Sequence, residues 1–288
     1  MSAYTLPDGN VQIAFSGGRT SGMMLHHILE ANGPLPDRVR VVFSNTGREM
    51  PETLDFVAEC GERWGVSIVW VEYAPDERYR VVTRETAATD GEPFEALIRK
   101  RGILPNARAR FCSGQLKARC AGHYLKDLGW KHWTAAVGIR ADEAQRASKK
   151  PPRERYVNWY PMVDAGHNKH DVAAFWRRQP FDLRLPNRNG TTPLGNCDVC
   201  FLKSEDKRAR MARDYPERYA WWERMEALAK ELGARPAGFR FLRAGQYGEL
   251  REFTESQGDW IFDTEDALCQ RDGGECTDLG PTATTPAH

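Results

Sequence analysis

Residues 11–22 read VQIAFSGGRTSG, and residues 23–31 continue as MMLHHILEA. An apolar run ends in Ser-Gly-Gly, and a pattern of helical spacing begins directly behind it. Glycine after a strand lets the backbone approach a ligand closely and take positive φ. The helix that follows aims free N–H groups and the positive end of its dipole at the same spot. Ser16, Thr20 and Ser21 add hydroxyl groups and Arg19 adds a positive charge. This set suits a phosphate, pyrophosphate or sulfate. It is neither the Walker loop nor Gly-x-Gly-x-x-Gly. A tight strand–helix turn with a serine cap is the plainer reading of the same residues.

Working outward, apolar β-branched runs stand at 11–15, 39–43, 67–71 and 133–139. Helical patterns lie between them at 21–31, 51–64 and 115–128, and Pro51 with Glu52 and Asp55 suits a helix start. Strands alternating with helices predict a doubly wound, parallel α/β sheet. Residues 141–155 are polar and basic and read as a loop, HNKHDVAAFWRRQ (167–179) as a short amphipathic helix, and 187–200 as a loop. Residues 205–232 read as a helical hairpin or a long helix broken at Pro216, in which Tyr219, Trp221 and Trp222 are assigned to the core. After Asp266 the chain turns polar and ends in GPTATTPAH, a tail of low order.

Bulk properties narrow the class. The 288 residues carry 41 Lys+Arg against 40 Asp+Glu, so any electrostatic recognition is local rather than global. No apolar run approaches the length of a membrane span, and the first ten residues lack a signal pattern, so the expectation is a cytoplasmic protein without a membrane partner. In a reducing compartment, seven cysteines including a Cys-x-x-Cys pair indicate metal or redox chemistry rather than a disulfide framework.

Four blocks in order carry a family resemblance. Ser16-Gly17-Gly18-x-x-Ser21 resembles the PP-loop of adenine-nucleotide α-hydrolase-like proteins. FSNTGREMPETLDFV (43–57), VGIRADEAQR (137–146) and YPMVDAGHNKHDVAAFW (160–176) resemble three blocks of the phosphoadenosine phosphosulfate (PAPS) reductases. The resemblance implies a mainly parallel five-stranded PP-loop (HUP-like) sheet with a helical, cysteine-bearing C-terminal part. The expected divisions are 1–186 for nucleotide binding, 187–265 for a cluster-bearing helical region packed on it, and 266–288 for a flexible tail. It also implies that Ser16, Gly17, Gly18, Arg19, Thr20 and Ser21 hold the anionic group. Asn45, Thr46, Gly47, Gly138 and Arg140 would lie at the same carboxyl edge of the sheet, where open α/β sheets bind ligands. Arg140 offers a bidentate fork to an anion, or a surface ion pair with Asp142 or Glu143.

The cysteines add a second signal. Adenosine phosphosulfate (APS) reductases bind a [4Fe–4S] cluster through a Cys-Cys pair and a later Cys-x-x-Cys. Here Cys112, Cys197 and Cys200 match, and Ser113 stands where the fourth cysteine would be. The fourth ligand is then Cys120, or the cluster has three protein ligands and one open iron, as in PP-loop sulfurtransferases that thiolate tRNA. Zinc on four thiolates is the alternative metal. Cys60 is assigned to the core. Reductases of this family carry a nucleophilic cysteine in a Glu-Cys-Gly-x-His tail block. Glu275-Cys276 matches it, but Thr277 and Leu279 do not, and Cys269 lies in the same tail.

Basic residues crowd the neighbourhood of the cysteines. Arg99, Lys100, Arg101, Arg108, Arg110, Lys117 and Arg119 surround Cys112, and Lys203, Lys207, Arg208, Arg210 and Arg213 follow Cys200. They suit an anionic nucleotide and permit a nucleic-acid partner. Three functions remain open. One is sulfur transfer to an acceptor activated by ATP, with Mg and a sulfur donor. The second is reduction of PAPS or APS to sulfite with a thioredoxin-like reductant. The third is a nucleotide-binding regulatory protein without turnover. A homo-oligomer is compatible with each. Thr20 stands where ATP-cleaving PP-loop proteins carry Asp.

Overall fold

The structure is a computed structural model and describes residues 2–147, 155–187, 192–235, 237–243 and 245–257. Six strands form one sheet in the order β4-β3-β2-β1-β5-β6. β1 (Val11–Phe15), β2 (Val39–Asn45), β3 (Ile68–Glu72), β5 (Trp133–Val137) and β6 (Tyr156–Trp159) run parallel, and β4 (Arg80–Val82) pairs antiparallel with β3 at one edge. The doubly wound architecture is as expected, with one strand more than five. β4 and β6 have no long apolar run to betray them: Val81 and Val157 lie on edge strands and are exposed.

Side chains alternate across the pleat, so one strand feeds two cores. Val41 and Phe43 point into the larger core with Val11, Ile13 and Phe15, whereas Val42 points into a smaller core with Val71, Ala135, Leu125 and Cys120. Helices α1 (Arg19–Asn32), α2 (Pro51–Trp64) and α6 (Lys169–Arg178) contribute to the larger core. On the opposite face lies α4 (Cys120–Asp127), entered through a π-helical turn at Ser113–Arg119. The sequence pattern 115–128 therefore reads correctly as helical, but its first half is π-wound. α3 is Glu92–Arg101 and α5 is Pro161–Asp164.

The C-terminal helices α7 (Glu205–Asp214), α8 (Pro216–Glu231) and α9 (Tyr247–Gln257) share the larger core. Pro216 opens α8, where a missing N–H costs nothing. Tyr219, Trp221 and Trp222 are buried, as the sequence suggests. Phe94 of α3 packs against Trp221 at 5.4 Å and Trp222 at 5.8 Å between ring centroids.

A buried carboxylate locks this region to the sheet. Asp198 is fully buried; it receives Arg48, Arg218 Nε at 2.7 Å, Trp222 Nε1 at 2.9 Å and its neighbour's amide, Val199 N, at 2.7 Å. Four donors on one carboxylate offset its loss of water, which no partial set would do. Removing it strands the buried Arg48 guanidinium. Asp198→Ala is therefore expected to lower the unfolding free energy by about 3–5 kcal/mol, read from urea denaturation; a loss near zero would show that the hub carries no such role.

A second buried acid, Glu226 of α8, accepts Phe241 N at 3.2 Å and Tyr247 N at 2.9 Å. These bonds favour the carboxylate, but burial outweighs them and pushes its pKa up to about 7 from an ordinary 4.5. Between those values the folded chain holds a proton that the unfolded chain has lost. Stability is thus present at low pH and falls as pH rises through that window. Urea midpoints should decline from about pH 5 to about pH 7.5, and the decline should shrink in Glu226→Gln.

Candidate nucleotide and cysteine site at the carboxyl edge of the sheet

The loop between β1 and α1 is built to be tight. Gly17 has φ of +76°, and a Cβ there would meet Thr53 Cγ2 at 2.7 Å and Val57 Cγ2 at 3.0 Å. Only glycine satisfies both conditions. Ser16 Oγ and Ser21 Oγ are 2.9 Å apart, and Ser21 Oγ donates to Gly18 O at 3.0 Å. Ser16 is exposed and Gly18 half-buried, so these two form the mouth. Gly18 caps the start of α1 with no side chain to offer, and the helix has no acidic residue in its first turn. By contrast, α6 carries a full capping box from Asn168 and Asp171. The first-turn amides of α1 thus remain available to an anion.

Two charged residues expected at this loop are placed otherwise. Arg19 is buried, and its guanidinium binds Asp182 at 2.7 and 2.9 Å, Thr192 Oγ1 at 2.9 Å, Leu185 O at 2.9 Å and Leu183 O. It anchors Asp182, Leu183, Leu185 and Thr192 to α1. Arg140 is also buried. It pairs with Asp142 at 3.1 Å and Glu143 at 3.4 Å, and donates to Thr20 Oγ1 at 3.4 Å. The ion pairs expected of Arg140 are present, to both acids, but they are buried rather than on the surface, and Arg140 braces the loop through Thr20. Gly138 permits that closeness, since a Cβ there would lie 3.3 Å from Ser21 Cα.

The Asn45-Thr46-Gly47 segment ends β2 beside this loop. Asn45 is buried and structural: it donates to Glu72 Oε1 at 2.7 Å and Ala88 O at 2.8 Å and accepts from Gly47 N at 3.1 Å. Thr46 is more suggestive. Its amide and hydroxyl both donate to Glu49 Oε2, at 2.9 and 2.8 Å, and its hydroxyl lies 3.5 Å from Cys197 Sγ.

The cysteine loop docks on this segment. Glu49 and Cys197 form a β-bridge, and Asp198 N donates to Arg48 O at 2.8 Å. Lys203 Nζ donates to Pro193 O and Gly195 O, both at 2.8 Å, which braces the turn that carries Cys197. Arg208 likewise donates to Lys203 O. These two basic residues are therefore structural rather than part of an anion-binding patch. Lys117 Nζ reaches Glu49 Oε1 at 3.8 Å, tying the π-helical turn that starts after Cys112 to the Glu49–Cys197 bridge. Cys112 and Cys197 are half-buried and Cys200 is buried.

Cys120 lies elsewhere. It is fully buried in the smaller core, and burial, with Glu72 nearby, pushes its thiol up to about 12. A thiol so placed is an inert core group. Cys60 is in the larger core with its thiol likewise raised by burial. Cys269, Glu275, Cys276, Thr277 and Leu279 fall outside the described residues. Cys112 and Cys197 are half-buried and Cys200 is buried, and thiolate sulfur is the donor type that iron–sulfur clusters take. Tetrahedral zinc would draw its ligand atoms to about 3.8 Å apart. Among the described residues, these cysteines form no group with all ligand atoms within 4.8 Å of one another.

A cavity of about 200 Å³ opens beside the loop. Its floor is the sheet face of Ala14, Val42, Ala135 and Val137; Ser16 stands at one end, and Ser113, Lys117 and Ala118 of the π-helical turn cover it. Tyr156 and Asn158 of β6 complete the wall. The sequence blocks did not reveal this cavity, because its floor is made of small side chains in strands that read only as core, and its cover is helical. Asp198 and Glu49 were missed as well. A charged residue between two cysteines was the available signal for Asp198.

The family model of the phosphoadenosine phosphosulfate reductase domain matches residues 10–166, just over half of the chain. The uncharacterized nin region protein ORF290 of Escherichia phage lambda is 32% identical over 215 residues, covering 70% of this chain and 69% of that relative. Among solved structures, the phosphoadenylyl-sulfate (PAPS) reductase from Candida auris in its phosphate complex is similar with a TM-score of 0.42 and 16% identity, over 62% of this chain and 79% of that one. The U34-tRNA thiolase NcsA from Methanococcus maripaludis with its [4Fe-4S] cluster gives a TM-score of 0.36 and 11% identity, over 88% and 83%. These two are distant likenesses, and neither bears on the chemistry of this chain. Nucleotide-binding sulfur chemistry is the common ground of the domain. The match of the family model over residues 10–166 establishes that the chain belongs to the phosphoadenosine phosphosulfate reductase domain family.

Proposed function

We propose that the chain binds an adenine nucleotide in the cavity beneath the π-helical turn and moves sulfur to an acceptor that the nucleotide activates. The observation that carries this reading is the continuity of an apolar slot with the loop mouth: small residues floor the cavity, and Ser16 closes one end of it. A planar base and its sugar suit the slot, while the anionic groups lie against Gly17, Gly18 and the uncapped start of α1. Lys117, at the cavity wall and 3.8 Å from Glu49, stands between the nucleotide and the cysteine loop.

Cys112, Cys197 and Cys200 would hold a [4Fe–4S] cluster, and when bound the cluster supplies an iron without a protein thiolate at which sulfur can be kept. The chain's own contribution is placement. Thr46 Oγ1, whose proton goes to Glu49, lies 3.5 Å from Cys197 Sγ and packs against it, and Lys203 fixes the turn. The loop's Arg19 and Arg140 keep the phosphate cradle rigid from behind. Sulfonucleotide reduction with a thioredoxin-like reductant is the second reading, favoured by the family itself. The two are separable by product: AMP and pyrophosphate from ATP with acceptor and sulfide, against sulfite from PAPS or APS.

Two outcomes test the site. Anaerobically purified protein should carry a [4Fe–4S] complement of iron and acid-labile sulfide, retained in Cys120→Ala and lost in Cys197→Ala and Cys200→Ala. Loss in Cys120→Ala, or retention in the other two, contradicts the three-cysteine assignment. Ala118 is exposed at the cavity's cover. Ala118→Trp should fill the slot and weaken adenine-nucleotide binding at least about tenfold, or about 1.4 kcal/mol, by calorimetry, with the urea midpoint unchanged. Unaltered affinity would place the nucleotide elsewhere.

A further inference from the structure

The second half of α1 carries a cluster that the nucleotide and cysteine site does not use. The ligand atoms of His26, His27 and Glu30 all lie within 4.8 Å of one another, and no other His, Cys, Asp or Glu group of three among the described residues is that compact. His27 Nδ1 is 2.8 Å from Glu30 Oε2, and His26 Nδ1 is 3.3 Å from the same oxygen. The His26 approach is not aligned as a hydrogen bond: its Nδ1 is buried and has no hydrogen-bond partner.

Packing sets both rings. His26 stands edge-on to Trp64 at 5.3 Å and to Phe175 at 5.0 Å. His27 lies against Tyr4 at 5.0 Å and His167 at 5.4 Å. His167 Nδ1 in turn is 2.6 Å from the Tyr4 hydroxyl. An aligned pair of N–H donors would have satisfied Glu30 without a cation, but His26 does not make that bond.

We propose that His26 Nδ1, His27 Nδ1 and Glu30 Oε2 bind a divalent transition ion of the zinc type, with its remaining positions open to water. Imidazole nitrogens with one carboxylate oxygen suit zinc, copper and nickel better than magnesium or calcium. A tetrahedral zinc ion holds such atoms about 3.4 Å apart, so only a small side-chain movement separates the present arrangement from a bound one. Glu30 is exposed, which leaves the ion a path from solvent.

Zinc alone, titrated into metal-stripped full-length protein against a chromophoric chelator, tests this. Parent, the double variant His26→Ala with His27→Ala, and Glu30→Gln differ only here, so zinc taken up by thiols cancels in the comparison. The parent should bind one more equivalent than the double variant, and Glu30→Gln should weaken that equivalent at least about tenfold. Equal stoichiometry and affinity in all three would overturn the site. Should the double variant fail to fold, Glu30→Gln decides, because its side chain is exposed and its loss disturbs no core.

Discussion

The Asp198 carboxylate is the contact on which the arrangement of the molecule depends. It has no access to water, and an isolated carboxylate in that position would be strongly unfavourable. Its four donors come from separate parts of the chain: Arg48 after β2, Arg218 and Trp222 in α8, and the adjacent amide of Val199. Because Asp198 sits between Cys197 and Cys200, satisfying its charge also fixes where the cysteine turn lies. One electrostatic requirement thus brings the C-terminal helices, the cysteines and the end of β2 to the same edge of the sheet.

That edge combines two kinds of chemistry. Gly17 and Gly18 lead into the uncapped start of α1, which we propose as the cradle for negative charge, and the adjoining slot is floored by small apolar residues. Thr46, Glu49 and Lys117 form a polar bridge from the slot to Cys197. Arg19 and Arg140 work from behind. Their guanidinium groups bind Asp182, Asp142, Glu143 and backbone carbonyls, so they hold the loop's shape from behind.

Much of the fold was legible in the sequence because its signals are local. The apolar runs of β1, β2, β3 and β5 and the proline-opened helices α2 and α8 follow from residue type and spacing. β4 and β6 were not legible, since edge strands pair on one side only and tolerate exposed residues such as Val81 and Val157. The π-wound start of the 113–127 helix has no spacing of its own in the sequence. Within the site, the glycines and serines of the loop were legible, and so was the Cys-x-x-Cys turn. The fate of Arg19 was not, because its partner Asp182 lies far along the chain and forms no motif with it. Cys120 posed the same problem: sequence spacing made it a ligand candidate, whereas strand and helix geometry bury it in the opposite core.

We propose that the cysteine turn and the nucleotide slot form one site at the carboxyl edge of the sheet. Anomalous diffraction at the iron edge, from anaerobically grown crystals soaked with an adenine nucleotide, tests it most directly. The expected result is one iron–sulfur peak bounded by Cys112, Cys197 and Cys200, with nucleotide density running from the Ala14–Val137 floor to Ser16. An iron peak at Cys120, or a nucleotide bound away from Ser16, would contradict it.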